Sequence, residues 1–219
     1  MLGPNGRTLK QRGWYDTESL AFDSGTVYVG IERVQEIVRF DYARDGLLAR
    51  GQPIGVPPGI KTLPANKSIE CLAASPKDSA LSGALISVSE QGLDSQGNLL
   101  GFIIGGAGGT FTLKRSDDFD ISDCTMAPGG RFLVLERRFS WARGVAMRIR
   151  SVPLASIKPG ALVDGAELIF ADNGAQIENM EGISVHRDAG GALVLTLVSD
   201  DNFSPLQRTL LLQFTLDGE

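Results

Sequence analysis

Four short segments of the chain set an acidic residue just ahead of a small, apolar stretch. They are Thr17-Glu18-Ser19-Leu20-Ala21, Ile69-Glu70-Cys71-Leu72-Ala73, Ser122-Asp123-Cys124-Thr125-Met126-Ala127 and Met180-Glu181-Gly182-Ile183-Ser184. Their acids are 52, 53 and 58 residues apart. A period in this range marks a repeat architecture, in which units stack because none can bury its apolar face alone. A repeat that keeps a carboxylate at constant phase gathers those carboxylates around one axis.

After each acidic segment comes a turn and then a strongly β-prone run: Thr26–Ile31, Gly83–Val88, Arg131–Leu135 and Ala192–Val198. Each run ends in charge, at Glu32-Arg33, Ser89-Glu90, Glu136-Arg137-Arg138 and Ser199-Asp200-Asp201-Asn202. The turns are Asp23-Ser24-Gly25, Pro76-Lys77-Asp78, Pro128-Gly129-Gly130 and Asp188-Ala189-Gly190-Gly191, the hairpin pattern of turn formers between aliphatic runs. Third strands follow at Glu36–Phe40, Leu99–Ile104, Val145–Arg150 and Thr209–Phe214, with a weaker fourth such as Gly109–Lys114. Helical periodicity is nearly absent; Ala155–Pro159 allows one turn. Three or four antiparallel strands per unit of about fifty residues describe a β-propeller blade. The expectation is an all-β propeller over residues 1–219, with blade units at roughly 13–65, 66–118, 119–176 and 177–219. Four such blades make a narrow ring, and rings of about six are more usual at this blade size. The chain therefore reads as if about two blades precede Met1.

The acids outnumber the bases, 26 against 21, for a net charge of −5. This argues against a nucleic-acid binder, which carries a basic patch or stripe. No apolar run is long enough for a membrane-spanning helix. Met1–Gly6 lacks the basic region and apolar run of a signal peptide. The two cysteines, Cys71 and Cys124, each follow the acid of their unit. Two buried thiols between packed sheets is the favoured expectation, a disulfide the alternative.

The innermost strand of a blade lines the channel, and the acidic segments are placed there. Period-two alternation sets Asp16 on the face of Glu18, and Asn179 on that of Glu181. Converging carboxylates raise one another's pKa unless a cation sits among them. Ca²⁺ takes six to eight oxygen ligands, and Glu18, Glu70, Asp123 and Glu181, with Asp16 and Asn179, offer such a set. The alternative is a water-filled channel whose acids pair with Arg33, Arg137 or Arg138. Those arginines stand at equivalent strand ends and suit bidentate contact with an anionic ester, or else pair within their sheets. Asp200 and Asp201, in Asp200-Asp201-Asn202-Phe203-Ser204, read equally as a general base, a second cation site, or Asx turns.

Other chemistries find less support. The lone histidine, His186, lies five residues after Glu181, so strand alternation turns it away, and there is no Gly-x-Ser-x-Gly elbow. Clustered zinc ligands are absent. Gly105–Gly109 lacks the Lys-Ser/Thr of a phosphate loop and reads as an interstrand loop.

Several segments resemble the phytase-like family, also described as having esterase-like activity of phytase: Asp120-Ile121-Ser122-Asp123, Phe132 to Trp141, Asn179 to Val185, and Ser199 to Ser204. The resemblance runs from Gly13-Trp14-Tyr15-Asp16-Thr17-Glu18 to Phe214. It implies a propeller, export to the bacterial periplasm or beyond, and a longer N-terminus with an export signal, against which this chain looks shortened. With the acidic segments, it leads to the expectation of a calcium-dependent phosphoester or carboxylic ester hydrolase acting on a small anionic substrate. A non-catalytic binding or scaffold propeller stapled by calcium and a lactone hydrolase stand as alternatives. The sequence leaves the oligomeric state open.

Overall fold

A computed structural model describes residues 1–216; the last part of the fourth blade unit, 217–219, lies outside the described residues. The chain divides into two compact units. The first is Met1–Lys114 with Ala155–Val163; the second is Arg115–Leu154 and the chain from Asp164 onward.

The first unit holds two sheets. A single-turn helix, α1 (Leu9–Arg12), leads in, held by a reciprocal capping box between Thr8 and Gln11 and closed by Gly13 in the left-handed region. Sheet one runs in the order β1 (Thr17–Asp23), β2 (Thr26–Ile31), β3 (Glu36–Asp41) and, beyond a second short helix α2 (Tyr42–Asp45), β4 (Gln52–Pro53). Sheet two follows with β5 (Ile69–Ala74), β6 (Leu85–Leu93), β7 (Leu99–Ile104) and β8 (Gly109–Leu113). All of these neighbours pair antiparallel.

The second unit repeats the plan. Its first sheet contains β9 (Asp120–Ala127), β10 (Arg131–Ser140) and β11 (Gly144–Pro153). The chain next makes a two-residue strand, β12 (Leu162–Val163), which joins sheet two by parallel pairing with β8. It then returns as β13 (Ala166–Asp172), the outer strand beside β11. The last sheet is β14 (Asn179–Arg187), β15 (Leu193–Asp200) and β16 (Leu211–Leu216). The fold is all-β, a four-bladed β-propeller arrangement. Among the described residues no helix is long and apolar enough to cross a membrane.

Alternation builds the cores. In the first unit, Ala21, Ile37, Ile69, Leu72, Leu85 and Phe102 pack face to face between the two sheets. The opposite face of sheet one closes over Trp14, Val29, Val38 and Phe40, and the Trp14 indole donates to Glu36 at 2.8 Å. In the second unit Leu133, Leu135, Met147, Ile149, Met180 and Leu195 form the equivalent layer. Truncating a fully buried residue such as Phe102 costs about 3–5 kcal/mol by lost transfer energy and the cavity left behind.

Two sequence expectations need correction here. The β-prone run expected to end at Leu135 continues through Ser140. It continues because Glu136, fully buried, meets Arg148 and Arg150 across the sheet, so the charges that marked an end are neutralised inside it. The two cysteines are not thiols: both Cys71 and Cys124 are disulfide-bonded.

Candidate functional site

The repeated acids sit on β-bulges. In β1, Thr17 lies opposite Ile31 and Ser19 opposite Gly30, leaving Glu18 as the extra residue. In β5, Ile69 faces Ser89 and Cys71 faces Val88, leaving Glu70. In β14, Met180 faces Ser199 and Gly182 faces Val198, leaving Glu181. A bulge bends its strand and re-aims the extra side chain, so these glutamates leave the period-two alternation of their strands.

In β9 the bulge falls one residue earlier. Ile121 faces Glu136 and Asp123 faces Leu135, so the extra residue is Ser122. The expected common phase of the four acids is corrected accordingly: Ser122 takes the slot of Glu18, Glu70 and Glu181. Asp123 moves on to the slot of Ser19 and Cys71, where residues reach across to the next sheet. Ser19 Oγ donates to the Ile69 carbonyl at 2.9 Å, and Asp123 Oδ2 accepts the Ile183 N–H at 2.8 Å. Gly30 makes room for the first latch, since a Cβ there would lie 2.2 Å from Ser19 Oγ. The Asp123 carboxyl is pushed up to about 7, chiefly by burial; the N–H groups of Ile183 and Cys124 oppose the shift, and the charge of Glu181 adds to it.

The second strands complete the frame. The residues just past those paired ahead of the bulges are Glu32, Glu90, Arg137 and Asp200. In the first unit, Glu32, Glu70 and Glu90 place carboxylate oxygens within 4.8 Å of one another. These three glutamates are 5 %, 7 % and 7 % exposed. Glu32 also meets Asp16 and Glu18 within the same distance, so it joins both groups. Its position is fixed: its N–H donates to the Asp16 carbonyl at 3.0 Å, and its Oε1 accepts the Ser68 N–H at 2.9 Å. Ser68 in turn accepts the Glu90 N–H through its carbonyl at 3.1 Å. Burial raises the Glu32 pKa most; the Ser68 N–H opposes it, Asp16 adds to it, and Arg33 and Lys67 lower it. Two cations stand at the margin, Arg33 ion-paired with Asp16 and Lys67 Nζ 3.8 Å from Glu90.

The second unit fills the same frame differently. Arg137 occupies the slot of Glu32 and Glu90. Its Nη1 lies 2.8 Å from Glu181 Oε1 and 2.6 Å from Asn179 Oδ1, while Asn179 donates to Glu181 at 2.6 Å. Glu181 and Asn179 thus both lie against Arg137. Burial still raises the Glu181 pKa, against the pull of Arg137 and Asn179 and with the push of Asp200.

The remaining candidates are dispersed. Arg33 stacks over Tyr15, 5.6 Å from its centroid. Arg138 Nη1 donates to the Asp117 carbonyl at 3.2 Å, and its guanidinium lies 4.7 Å over Phe119. Asp200 accepts the Asn202 N–H at 3.1 Å. Asp201 accepts the Phe203 N–H at 2.9 Å and the Thr209 hydroxyl at 3.2 Å. Both aspartates thus form the Asx turns that the sequence allowed. His186 is exposed on β14. Glu32 and Glu90 were not among the expected ligands, although both were visible as acidic ends of the second strands.

Comparisons with known proteins agree with this architecture. An endo-arabinase from Bacteroides thetaiotaomicron superposes with a TM-score of 0.52 at 10 % identity, covering 93 % of this chain and 76 % of the arabinase. An α-L-arabinanase from Cellvibrio cellulosa, solved with arabinohexaose, gives 0.52 at 12 % identity over 91 % and 73 % of the two chains. At these identities the likeness is one of fold. No curated protein matches the sequence. The model of the phytase-like family, described as esterase-like activity of phytase, matches residues 1–203, and the chain belongs to that family.

Proposed function

We propose that this protein is a calcium-dependent hydrolase of phosphoesters or carboxylic esters, with the cation held where Glu32, Glu70 and Glu90 meet. The observation that carries the reading is the convergence of those three buried carboxylates within 4.8 Å. Buried anions at this spacing repel one another and have lost hydration, so they call for bound protons or a cation. The donor set fits a hard cation: it is all oxygen, without histidine or thiol, and Asp16 and Glu18 extend it through Glu32. Bound there, calcium would polarise an ester oxygen and lower the pKa of a water molecule.

The chain's own groups supply the rest. The bulges aim Glu18 and Glu70, and the Ser68 N–H fixes Glu32. Arg33, half exposed beside Asp16, is placed to receive the anionic part of a substrate. In the second unit Arg137, Asn179 and Glu181 serve cohesion, Asp123 serves as a latch, and Asp200 and Asp201 shape their loop. The disulfide state of both cysteines favours an oxidising compartment, and so export.

The test is a hydrolysis panel of phosphomonoesters, carboxylic esters and lactones, with calcium and after chelation. We expect turnover of a phosphomonoester or carboxylic ester that chelation abolishes and calcium restores, with the circular dichroism unchanged. Turnover of lactones alone would replace the substrate class. Calcium binding without turnover of any of the three would leave a non-catalytic binding propeller.

A further inference from the structure

The strands of sheet one carry opposite chemistry at their two ends. Ile31 and Glu36 pair at the end that leads to the carboxylates. Thr26 and Asp41 pair at the other end, roughly 17 Å away along the strand. At that second end lies a recess of about 520 Å³ lined by Pro4, Arg44, Asp45, Leu48, Arg50 and Gln52. A smaller hollow of about 130 Å³ adjoins it, sharing Arg44, Arg50 and Gln52 and adding Arg39. In a chain of net charge −5, three guanidinium groups converge here.

Two of them are already engaged. Arg44 pairs with Asp45 at 2.7 Å and with Asp41 at 3.4 Å, and Arg39 donates twice to Gln52 Oε1, at 3.3 and 2.9 Å. Arg50 differs: among the described residues it has no ion pair and no side-chain hydrogen bond, and its charge acts only at a distance to lower the Asp45 pKa. Its backbone is nevertheless held. Arg50 forms a parallel bridge with Leu2, flanked by Leu2 N–H to the Ala49 carbonyl at 2.9 Å and Gly51 N–H to the Leu2 carbonyl at 2.7 Å. Gly6, with φ of +76°, lies against the guanidinium, where a Cβ would come within 3.6 Å of Nη2. The result is a fork of donors on a held backbone, in a recess that Leu48 and Pro4 also line.

The geometry points to a binding site for a small organic phosphate in this recess, separate from the carboxylate corner. Arg50 takes the phosphoryl oxygens bidentately, the arrangement for which guanidinium is shaped. Arg44 shares its charge between Asp45 and the ligand, and Leu48 with Pro4 covers the organic part. The volume falls in the range of small-molecule sites and exceeds what a bare phosphate fills.

The test is calorimetric titration of chelator-treated protein with phenyl phosphate, which without a cation is bound and not turned over. One saturable site is expected, weakened about tenfold or more by Arg50→Gln and by Arg50→Lys, which keeps the charge and loses the fork. Glu70→Gln should leave the binding unchanged, so this outcome stands apart from the fate of the calcium reading. Leu48→Ala should weaken phenyl phosphate and leave inorganic phosphate unaffected. Absence of binding by the wild-type protein, or equal binding by both folded Arg50 variants, would overturn the assignment.

Discussion

Two corners of this protein share one backbone frame and differ in what fills it. In the first unit the bulge slots hold Glu18 and Glu70, and the facing strand ends hold Glu32 and Glu90. In the second unit the corresponding residues are Ser122, Glu181, Arg137 and Asp200. At the second corner Arg137 lies against Glu181. At the first corner carboxylates crowd one another, while Arg33 and Lys67 stand at its edge. A repeat thus preserves where a side chain points while leaving its charge free to change. The same fold can carry a self-sealed joint and, on our reading, a cation site.

The largest effect concerns the second unit's own neutralisation. Glu136 is fully buried against Arg148 and Arg150. Glu136→Gln strips two buried guanidinium groups of their shared counter-charge, so it should cost about 3–5 kcal/mol in urea denaturation, with or without calcium. A loss that calcium reverses would contradict the division of roles between the corners. Exchanging the occupants comes next. Glu90→Arg in the first corner should raise the stability of chelated protein and erase its response to calcium. Arg137→Glu should destabilise the second corner by about 1–3 kcal/mol, because it leaves Glu181 beside a like charge.

Asp123 gives a pH signature in the second unit. Its carboxyl titrates at about 7 in the folded protein against an ordinary value of 3.8. The folded state therefore holds this proton more tightly than the unfolded state. The stability gained is full below the ordinary value and is lost as pH rises through about 7. Asp123→Asn should flatten that part of the decline in urea midpoints between the two values; an unchanged slope would mean that the Ile183 N–H keeps the carboxylate ionised. A further effect is steric. Gly30→Ala should cost about 1–3 kcal/mol by forcing apart Ser19 and the strand it latches.

Where physics is local, the sequence was readable. Thr26–Ile31 and Leu99–Ile104 are strands at the expected bounds because their β-branched and aliphatic runs are framed by turn formers. The acids at the start of each unit were visible from spacing alone. The one-residue shift at Ser122 was not, because a bulge is settled by pairing with β10 and leaves the motif around Asp123 intact. Glu32 and Glu90 were seen as charges ending strands; that they meet Glu70 depends on how the two sheets of the first unit pack. Strand β12 escaped notice because two residues carry no period, and its partner β8 lies about fifty residues earlier. The short helix α1 did leave a local signal, the Thr8–Gln11 spacing of a capping box.

The decisive measurement is calorimetric titration of calcium into chelator-stripped wild-type protein and into Glu70→Gln, with the fold of each checked by circular dichroism. Binding by the wild type that weakens about tenfold or more in Glu70→Gln is the predicted result. No binding by folded wild-type protein, or equal affinity in the two, would mean that the buried glutamates are held by protons and would contradict the cation site.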